Sequence, residues 1–419
     1  METWKKEDLL EEWKAIGRRW VFVRKKDEHG KIVKYKAHLV AQGFSQKPGT
    51  NYLDNSTFAP MMHFKTLRTM LANSAIYNWK LRQFDVKGAY LHRELKEEIY
   101  IMQAPGYEDN TNKIYYLFRS LYGLKQAGNV WNTKLNNTLT ILGFNQLKSN
   151  YCCYIQRTKE GCTILLIWVN NFLLVSDQDE LNDQIKTELN KHFKVKSLGQ
   201  PSIIIGVKVH QENHLIKISQ THYIDTLLKK YGLQDVNPVS TPMDPSIKLD
   251  VLEGKASEDN IDQLSINHGY ANLIRSLMYL AIATQPNIAY LVNKLTQYIS
   301  APKTKHWTAI KRIIRYLKGT RQFKLTYGGS PELLHDKINI YCDADWASDS
   351  DQKSISSYVI IIAGGAIAWS SKKQNTVAPS TPKAKYIAAT HVAKQVLWHQ
   401  SLLTKLKFPL LTPSIIFFG

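Results

Sequence analysis

Apolar and polar positions alternate along the first half of the chain with two different periods. A period of two residues predicts strands, and a period near 3.6 residues predicts helices. Residues 17–45 show the first pattern, which predicts a β-hairpin with its turn at Asp27-Glu-His-Gly30. An amphipathic helix is predicted over residues 66–77. Further helices are predicted over residues 87–95, 126–142 and 179–192, and strands over residues 81–86 and 98–103.

The second half of the chain begins with a proline-rich segment, Pro238–Pro245, which predicts a linker. A helical stretch is predicted over residues 270–317. Strands then follow over residues 338–341, 358–362 and 366–370, with a closing helix over residues 383–406. This order of elements predicts the α+β class, with a second α/β unit at the C-terminal end.

Composition narrows the class of protein. The chain has 419 residues, of which 44% are hydrophobic, so the low hydrophobicity of disordered proteins is absent. A formal net charge of +20 indicates a polyanionic partner, most simply nucleic acid; the alternative is that the charge is accidental. None of the four cysteines forms a C-x-x-C pair, which predicts neither a zinc site nor a disulfide framework. No apolar stretch approaches 18 residues, so we expect a soluble, intracellular protein without a membrane span.

The first candidate motif is Phe84-Asp-Val-Lys-Gly-Ala-Tyr90. A carboxylate at the end of a strand, here Asp85, is a position from which metal-assisted phosphoryl transferases hold Mg²⁺. The aromatic ring of Tyr90 could form the wall of a sugar pocket. Taken alone, however, an aspartate at a strand end is more often a simple cap.

Two further motifs are equally ambiguous when each is taken alone. Ser120-Leu-Tyr-Gly-Leu-Lys-Gln126 predicts a glycine turn entering a helix, whose free N–H groups can position a nucleotide or a template strand. It is also an ordinary strand–helix connection. Residues 162–175 form an apolar hairpin interrupted by Asn170-Asn171, a pair that suits the positive φ angles of a tight turn.

In this order and spacing the three motifs resemble the reverse transcriptase of copia-type retrotransposons, and the resemblance covers nearly the whole chain. Other matching blocks are Arg19-Trp-Val-Phe-Val, Lys34-Tyr-Lys-Ala-His-Leu-Val-Ala-Gln-Gly-Phe, Phe193-Lys-Val-Lys-Ser-Leu-Gly, Ser276-Leu-Met-Tyr-Leu and Arg315-Tyr-Leu-Lys-Gly-Thr. The resemblance implies a right-hand polymerase, with fingers and palm in residues 1–215 and thumb and connection in residues 216–335. It implies an incomplete RNase H-like α/β domain, truncated at its C-terminus, in residues 336–419. A fungal element is expected.

The resemblance also assigns roles in the polymerase site. Asp85 corresponds to a metal-binding carboxylate, whereas Asn170 and Asn171 stand where the family has an Asp-Asp pair. Tyr90 corresponds to the sugar gate. Lys36 and His38 are expected near the incoming triphosphate. Contacts to template or nucleotide are expected from Gly123, Lys125 and Gln126.

In the RNase H-like region, Tyr341-Cys-Asp-Ala-Asp-Trp-Ala matches the first strand of the family's domain. Asp343 then corresponds to its first metal-binding carboxylate. Lys383 and Lys385 stand where the family has glutamates, and Lys385 occupies the position of a metal ligand. A cation therefore stands where a cation must bind.

The implied ancestral activity is RNA-templated DNA synthesis coupled to degradation of the RNA strand, with Mg²⁺ as cofactor. Its implied partners are an RNA template, a DNA primer, RNA–DNA hybrid and dNTPs, in a cytoplasmic virus-like particle or the nucleus. An amide oxygen carries no charge, and Lys385 places a cation in the second site, so we expect this copy to be catalytically inactive at both sites. Three alternatives remain: a noncatalytic nucleic-acid-binding protein, a genomic relic without function, or an enzyme that tolerates the substitutions.

Arg93 and Ser357 stand where the family has glycines. If those glycines occupy turns with positive φ, each side chain should strain the backbone by about 1 kcal/mol or more.

Overall fold

The structure is a computed structural model. It describes residues 2–9, 13–26, 31–53, 56–109, 111–244, 246–247, 249, 263–334, 337–347, 351–408 and 414–419. The predicted turn at Asp27–Gly30 and the last residue of the predicted linker, Pro245, lie outside the described residues.

Strands and helices alternate along the chain. The strands are β1 (Trp4–Glu7), β2 (Arg18–Lys26), β3 (Ile32–Ala41), β4 (Lys80–Val86), β5 (Tyr100–Ile101), β6 (Ile114–Leu117), β7 (Asn145–Leu147), β8 (Asn150–Arg157), β9 (Cys162–Trp168), β10 (Asn171–Ser176), β11 (Val195–Gly199), β12 (Ile203–Ile204), β13 (Val207–Glu212), β14 (Leu215–Ser219), β15 (Leu325–Gly328), β16 (Asn339–Asp345), β17 (Ile355–Ile362), β18 (Gly365–Lys373) and β19 (Ile415–Phe418). The α-helices are α1 (Phe64–Ile76), α2 (Ala127–Ile141), α3 (Asp179–Asn190), α4 (Thr221–Lys230), α5 (Gln263–Ala283), α6 (Ala289–Thr296), α7 (Thr304–Thr320) and α8 (Thr381–Lys405). The predicted α+β class is confirmed.

Three of the predicted helices differ from those observed. Residues 87–95 contain only a short 3-10 turn, Ala89–His92. The single helix predicted over 270–317 is divided into α5, α6 and α7, because Pro286 lacks an N–H and begins a new turn. Helix α1 is not amphipathic, since every residue from Thr66 to Ile76 is buried.

The chain divides into two compact units, residues 1–62 with 82–199 and residues 63–81 with 200–419. This division follows the packing of the elements. The functional boundaries predicted at residues 215 and 335 are a separate matter and stay predictions. None of the described helices is long and apolar enough to cross a lipid bilayer.

The first unit is built on a six-stranded sheet with the order β11-β4-β10-β9-β8-β7. Helices α2 and α3 share one apolar core with this sheet. The strand residues in that core include Phe84, Val86 and Phe172. Because successive side chains of a strand point to opposite faces, Asp85 and Asn171 lie on the face away from this core. A three-stranded sheet, β1-β6-β5, and the β2-β3 hairpin complete the unit.

The second unit contains two four-stranded sheets and a cluster of helices. One sheet has the order β12-β13-β14-β15, and the other has the order β18-β17-β16-β19. In the latter, β16, β17 and β18 are antiparallel, and β19 returns after α8 to lie parallel to β16. The core of the helical cluster is formed by apolar residues of α4, α5, α6 and α7.

The predicted linker packs against α7. Arg312 donates to the Thr241 hydroxyl at 3.1 Å and lies 3.3 Å from the Asp244 carboxylate. Just before this segment, Arg315 donates to the backbone carbonyl of Asn237 at 2.8 Å. The proline-rich stretch therefore connects two parts of the chain as a strap bound along a helix.

The expected backbone strain at two substituted glycine positions was wrong. Arg93 has an extended backbone, with φ −129° and ψ 138°. Ser357 lies within β17, paired with Asp343, and is not among the described residues with positive φ. Extended backbone accepts any side chain, so neither residue carries the predicted cost.

The second unit contains a buried histidine. His399, on α8, is fully buried; its Nδ1 donates to the Gln395 carbonyl at 2.7 Å, and its Nε2 has no hydrogen-bond partner in the structure. Burial, with a smaller contribution from the nearby Lys65 and Arg68 charges, lowers the pKa of His399 to about 4. Folding therefore favours the neutral imidazole.

We predict a loss of stability on acidification that depends on His399. The unfolded chain takes up this proton near pH 6.5 and the folded chain only near pH 4, so stability falls as the pH falls between these values. The contribution lost between pH 7 and pH 5 is about 2 kcal/mol. Denaturant unfolding at both pH values should show a smaller loss in His399→Gln than in the parent. His222→Gln, at an exposed position on α4, should lose as much as the parent. An identical loss in His399→Gln would contradict the assignment.

Candidate functional site

The candidate polymerase site forms where β4 lies beside β10. The Val86 N–H donates to the Asn170 carbonyl at 2.8 Å, which places the β9–β10 turn next to the end of β4. The Asn170 side-chain amide donates to Asp85 Oδ1 at 2.7 Å. The Asn171 amide in turn donates to Asn170 Oδ1 at 3.2 Å. The three predicted residues are therefore joined in one chain of hydrogen bonds that ends on the carboxylate.

The turn between β9 and β10 differs from the one predicted. Trp168 pairs with Asn171, so the two turn residues are Val169 and Asn170. The positive φ belongs to Val169, at 54°, and not to the asparagines. A β-branched residue in this region costs on the order of 1–3 kcal/mol and persists only where neighbours hold it. One such neighbour is Trp131, whose buried indole donates to the Val169 carbonyl at 2.6 Å.

The charges of this site do not suit a pair of divalent cations. Asp85 is its one carboxylate among the described residues, and a carboxylate oxygen already accepts the Asn170 amide. Lys196 of β11 stands directly opposite Asp85 in the sheet register. Across the described part of the chain, no group of three His, Cys, Asp or Glu side chains could hold a metal ion. Mg²⁺ requires near-octahedral oxygen ligands with charge to offset its own, and these residues do not supply them.

Three aromatic rings lie beside this carboxylate. Tyr90 meets Tyr122 edge to face, with ring centroids 4.6 Å apart, and the His38 ring lies 5.6 Å from Tyr122. Burial raises the pKa of Tyr122, and the nearby Tyr90 and Asp85 raise it further. Burial also raises the pKa of Tyr90. The sequence analysis did not single out Tyr122, although it lies within the Ser120–Gln126 motif.

Lys36 shares a face of β3 with His38, because the two residues are separated by one position along the strand. Both side chains are half-buried. This placement brings His38 next to the ring of Tyr122. Lys36 lies two residues earlier in β3, nearer to the turn of the hairpin. Their predicted approach to a triphosphate stays a prediction.

The residues of the glycine turn make internal contacts. Gly123 has φ +94°, and a Cβ on it would lie 2.0 Å from the Ala41 carbonyl oxygen, so only glycine allows this close approach. Lys125 donates to the Tyr52 hydroxyl at 2.9 Å. Gln126 is fully buried; it donates to the Asn51 carbonyl at 2.9 Å and accepts from Gln46 at 3.0 Å. These contacts give all three residues a packing role, and their contact with template or nucleotide stays a prediction.

The second candidate site lies near the C-terminal end of β16, just after the residues of that strand that pair with β19. The Asp343 carboxylate accepts the Ala344 N–H at 2.8 Å, and the Lys385 ammonium stands 3.9 Å from its Oδ1. Lys385, in the first turn of α8, also donates to the Gly419 carbonyl. The structure therefore brings the two predicted residues together. Lys383 is exposed, and among the described residues it forms no ion pair with this carboxylate.

Comparisons with known proteins identify the family. The sequence model of the family described as reverse transcriptase (RNA-dependent DNA polymerase) matches residues 1–245. The chain is 36% identical over 416 residues to the retrovirus-related Pol polyprotein from transposon TNT 1-94 of Nicotiana tabacum, covering 96% of this chain and 30% of the relative. It is 30% identical over 317 residues to the putative transposon Ty5-1 protein of Saccharomyces cerevisiae, covering 74% of this chain and 100% of the relative.

A solved structure of the foamy viral protease-reverse transcriptase in complex with double-stranded DNA aligns with 95% of this chain and 57% of that one. The TM-score is 0.43 at 10% identity, which is too low to support an argument. The chain spans less than a third of the Nicotiana polyprotein that it matches. The family assignment instead depends on the family match over more than half of the chain and on the full coverage of the Ty5-1 relative. On these matches, the chain belongs to the reverse transcriptase family of copia-type retrotransposon Pol polyproteins.

Proposed function

We propose that this chain is a reverse transcriptase whose polymerase centre is catalytically inactive and which retains nucleic-acid binding. The observation that carries the proposal is the hydrogen bond of 2.7 Å from the Asn170 amide to Asp85. In an active centre of this family a second carboxylate would stand there, and metal ions would lie between the two. Here the neutral amide of Asn170 donates to the Asp85 carboxylate, which those ions would need as a ligand.

The remaining chemistry of the centre is that of a binding site. The Tyr90–Tyr122–His38 cluster offers ring faces and edges against which a sugar or base can pack. The net charge of +20 favours a polyanion. The proposed partners are primer–template duplex, with RNA template and DNA primer, and dNTPs. Without the metal charges, bound substrates would lack several kcal/mol of transition-state stabilisation.

The predicted division into fingers and palm (1–215), thumb and connection (216–335) and an RNase H-like domain (336–419) is proposed for the same chain. The order β16–β17–β18–α8–β19, with β19 parallel to β16, supports the last assignment. At its candidate site the Lys385 ammonium takes the place of a cation beside Asp343. We propose that this site too is inactive.

Restoring both carboxylates should restore polymerase activity. In primer extension on an RNA template with Mg²⁺, Asn170→Asp/Asn171→Asp should exceed the parent by about 10³-fold or more, because metal ions supply several kcal/mol to such reactions. Adding Asp85→Asn to the double variant should abolish the gain.

The matched control is Asn136→Asp/Asn137→Asp on α2, which makes the same chemical change to another adjacent asparagine pair of the same unit. It should leave extension at the parent level. Extension by the parent protein itself would overturn the proposal of inactivity. No extension by the Asn170→Asp/Asn171→Asp variant would mean that substitutions other than these two also prevent catalysis.

Nucleic-acid binding should survive without metal. In fluorescence anisotropy with a labelled RNA–DNA primer–template, the Kd of the parent should rise at least about tenfold between 50 and 200 mM salt, as expected when several phosphates are neutralised. Replacing Mg²⁺ by EDTA should change it less than about twofold, because no metal bridges protein and phosphate in this proposal. Absence of binding at the lower salt concentration would favour a relic without function.

Lys385 should be the residue that excludes divalent cations from the Asp343 site. Lys385→Glu exchanges an ammonium 3.9 Å from the carboxylate for a second carboxylate. Mn²⁺ binding followed by electron paramagnetic resonance should therefore tighten at least about tenfold. Lys383→Glu, an equal change of charge two residues earlier, should have a much smaller effect. Equal effects of the two variants would assign the change to net charge alone.

A further inference from the structure

A cavity in the second unit adjoins the one that Asp343 lines, and the two share Tyr358, Trp369 and Ser370. It has a volume of about 320 Å³ and lies in the second unit, between α1, α5, α6 and the strands β17 and β18. Its walls are mainly apolar and include Phe64, Met278, Val292 and Trp369. The volume lies within the range of small-molecule sites, about 300–1,000 Å³. Neither Asp85 nor Asp343 lines it.

One wall of this cavity is a buried guanidinium. Arg68 is 4% exposed, and its charged group lies 3.8 Å from the centroid of the Trp369 ring. Nε donates to the Ile367 carbonyl at 2.8 Å, and Nη1 donates to the carbonyls of Ile282 and Ala283 at 2.6 and 2.9 Å. The latter two carbonyls end α5, and the negative end of the helix dipole offsets part of the charge. Within the described residues, no carboxylate forms an ion pair with Arg68.

A second cation, Lys65, lines the same cavity, and its contacts differ from those of Arg68. Lys65 is half-buried, its ammonium lies 3.9 Å from the Trp398 ring centroid, and it donates to the neutral Gln395 amide at 3.1 Å. Burial lowers the pKa of Lys65. No carboxylate of the described part of the chain pairs with it. An ammonium has three donors, so it can make further hydrogen bonds to a ligand.

The balance of charge around this cavity is therefore one-sided. Arg68, Lys65 and His63 line it, and none of its lining side chains is acidic. A buried cation without a counter-ion costs free energy, which an anion bound beside it would recover. Polar edges for orienting a ligand are present in Tyr358, Ser370 and Asn293.

We propose that this cavity binds a small organic anion with a flat apolar ring, its charge held by Lys65 and Arg68 and its ring enclosed by the apolar walls. The proposal goes beyond the function proposed above and depends on neither Asn170 nor Lys385. It assigns the cavity a ligand class from two features only, the cations that lack a carboxylate partner among the described residues and the apolar walls.

Three probes separate these two features. 1-Naphthoate carries both the ring and the charge, 1-naphthamide keeps the shape without the charge, and acetate keeps the charge without the ring. In titration calorimetry on the full chain, 1-naphthoate should bind at least about tenfold more tightly than either of the others, since each lacks one of the two contributions. Equal affinity for 1-naphthamide and 1-naphthoate, or no binding of 1-naphthoate, would overturn the proposal.

Lys65→Met tests whether the binding occurs in this cavity. It should weaken 1-naphthoate binding at least about tenfold. The control is Lys311→Met on α7, where an exposed lysine also lies over a tryptophan ring, Trp307, at 5.7 Å. Unchanged binding in Lys65→Met or equal weakening in Lys311→Met would each contradict the proposal.

Discussion

The pairing of β4 with β10 is the contact on which the candidate polymerase site depends, because it places a carboxylate next to a turn far away in the sequence. The backbone bond from Val86 to Asn170 fixes this neighbourhood. Underneath, α2 and α3 pack against the opposite face of the sheet. Trp131 belongs to that core and also donates to Val169. Core packing therefore holds a turn whose backbone is strained, as is common at functional sites.

Both candidate sites share one electrostatic arrangement. At the first, the Asn170 amide donates to Asp85; at the second, the Lys385 ammonium faces Asp343. Clustered carboxylates repel one another when no metal is bound, which is a cost that active sites carry. Here a donor or a cation beside each remaining carboxylate removes that repulsion. At both candidate sites the carboxylate therefore has a hydrogen-bond donor or a cation as its partner without any metal.

The cavity beside Arg68 presents the opposite case. There the cations lack carboxylate partners among the described residues, so the structure itself leaves a charge to be neutralised. The C-terminal end of α5 accepts hydrogen bonds from Arg68, whereas Lys65 donates to the Gln395 side chain of α8. The carboxylates of the two candidate sites have a donor or a cation as partner, whereas the cations of this cavity lack carboxylate partners among the described residues. Only the second arrangement indicates a ligand.

The sequence by itself determined the α+β class, the positions of most strands and helices, and the motifs that identify the family. These are local properties, because the hydrophobic periodicity of an element and the order of the sequence motifs are kept when single residues are replaced. It also marked Asp85, Asn170, Asn171, Asp343 and Lys385 as site residues that the fold then brings together in two groups. Tertiary structure decided the rest. The positive φ falls on Val169 because strand register sets the turn, and α1 is buried on all sides because sheets lie against it. Gln126 is buried and Tyr122 joins the aromatic cluster because of contacts between residues distant in sequence, which no local pattern encodes.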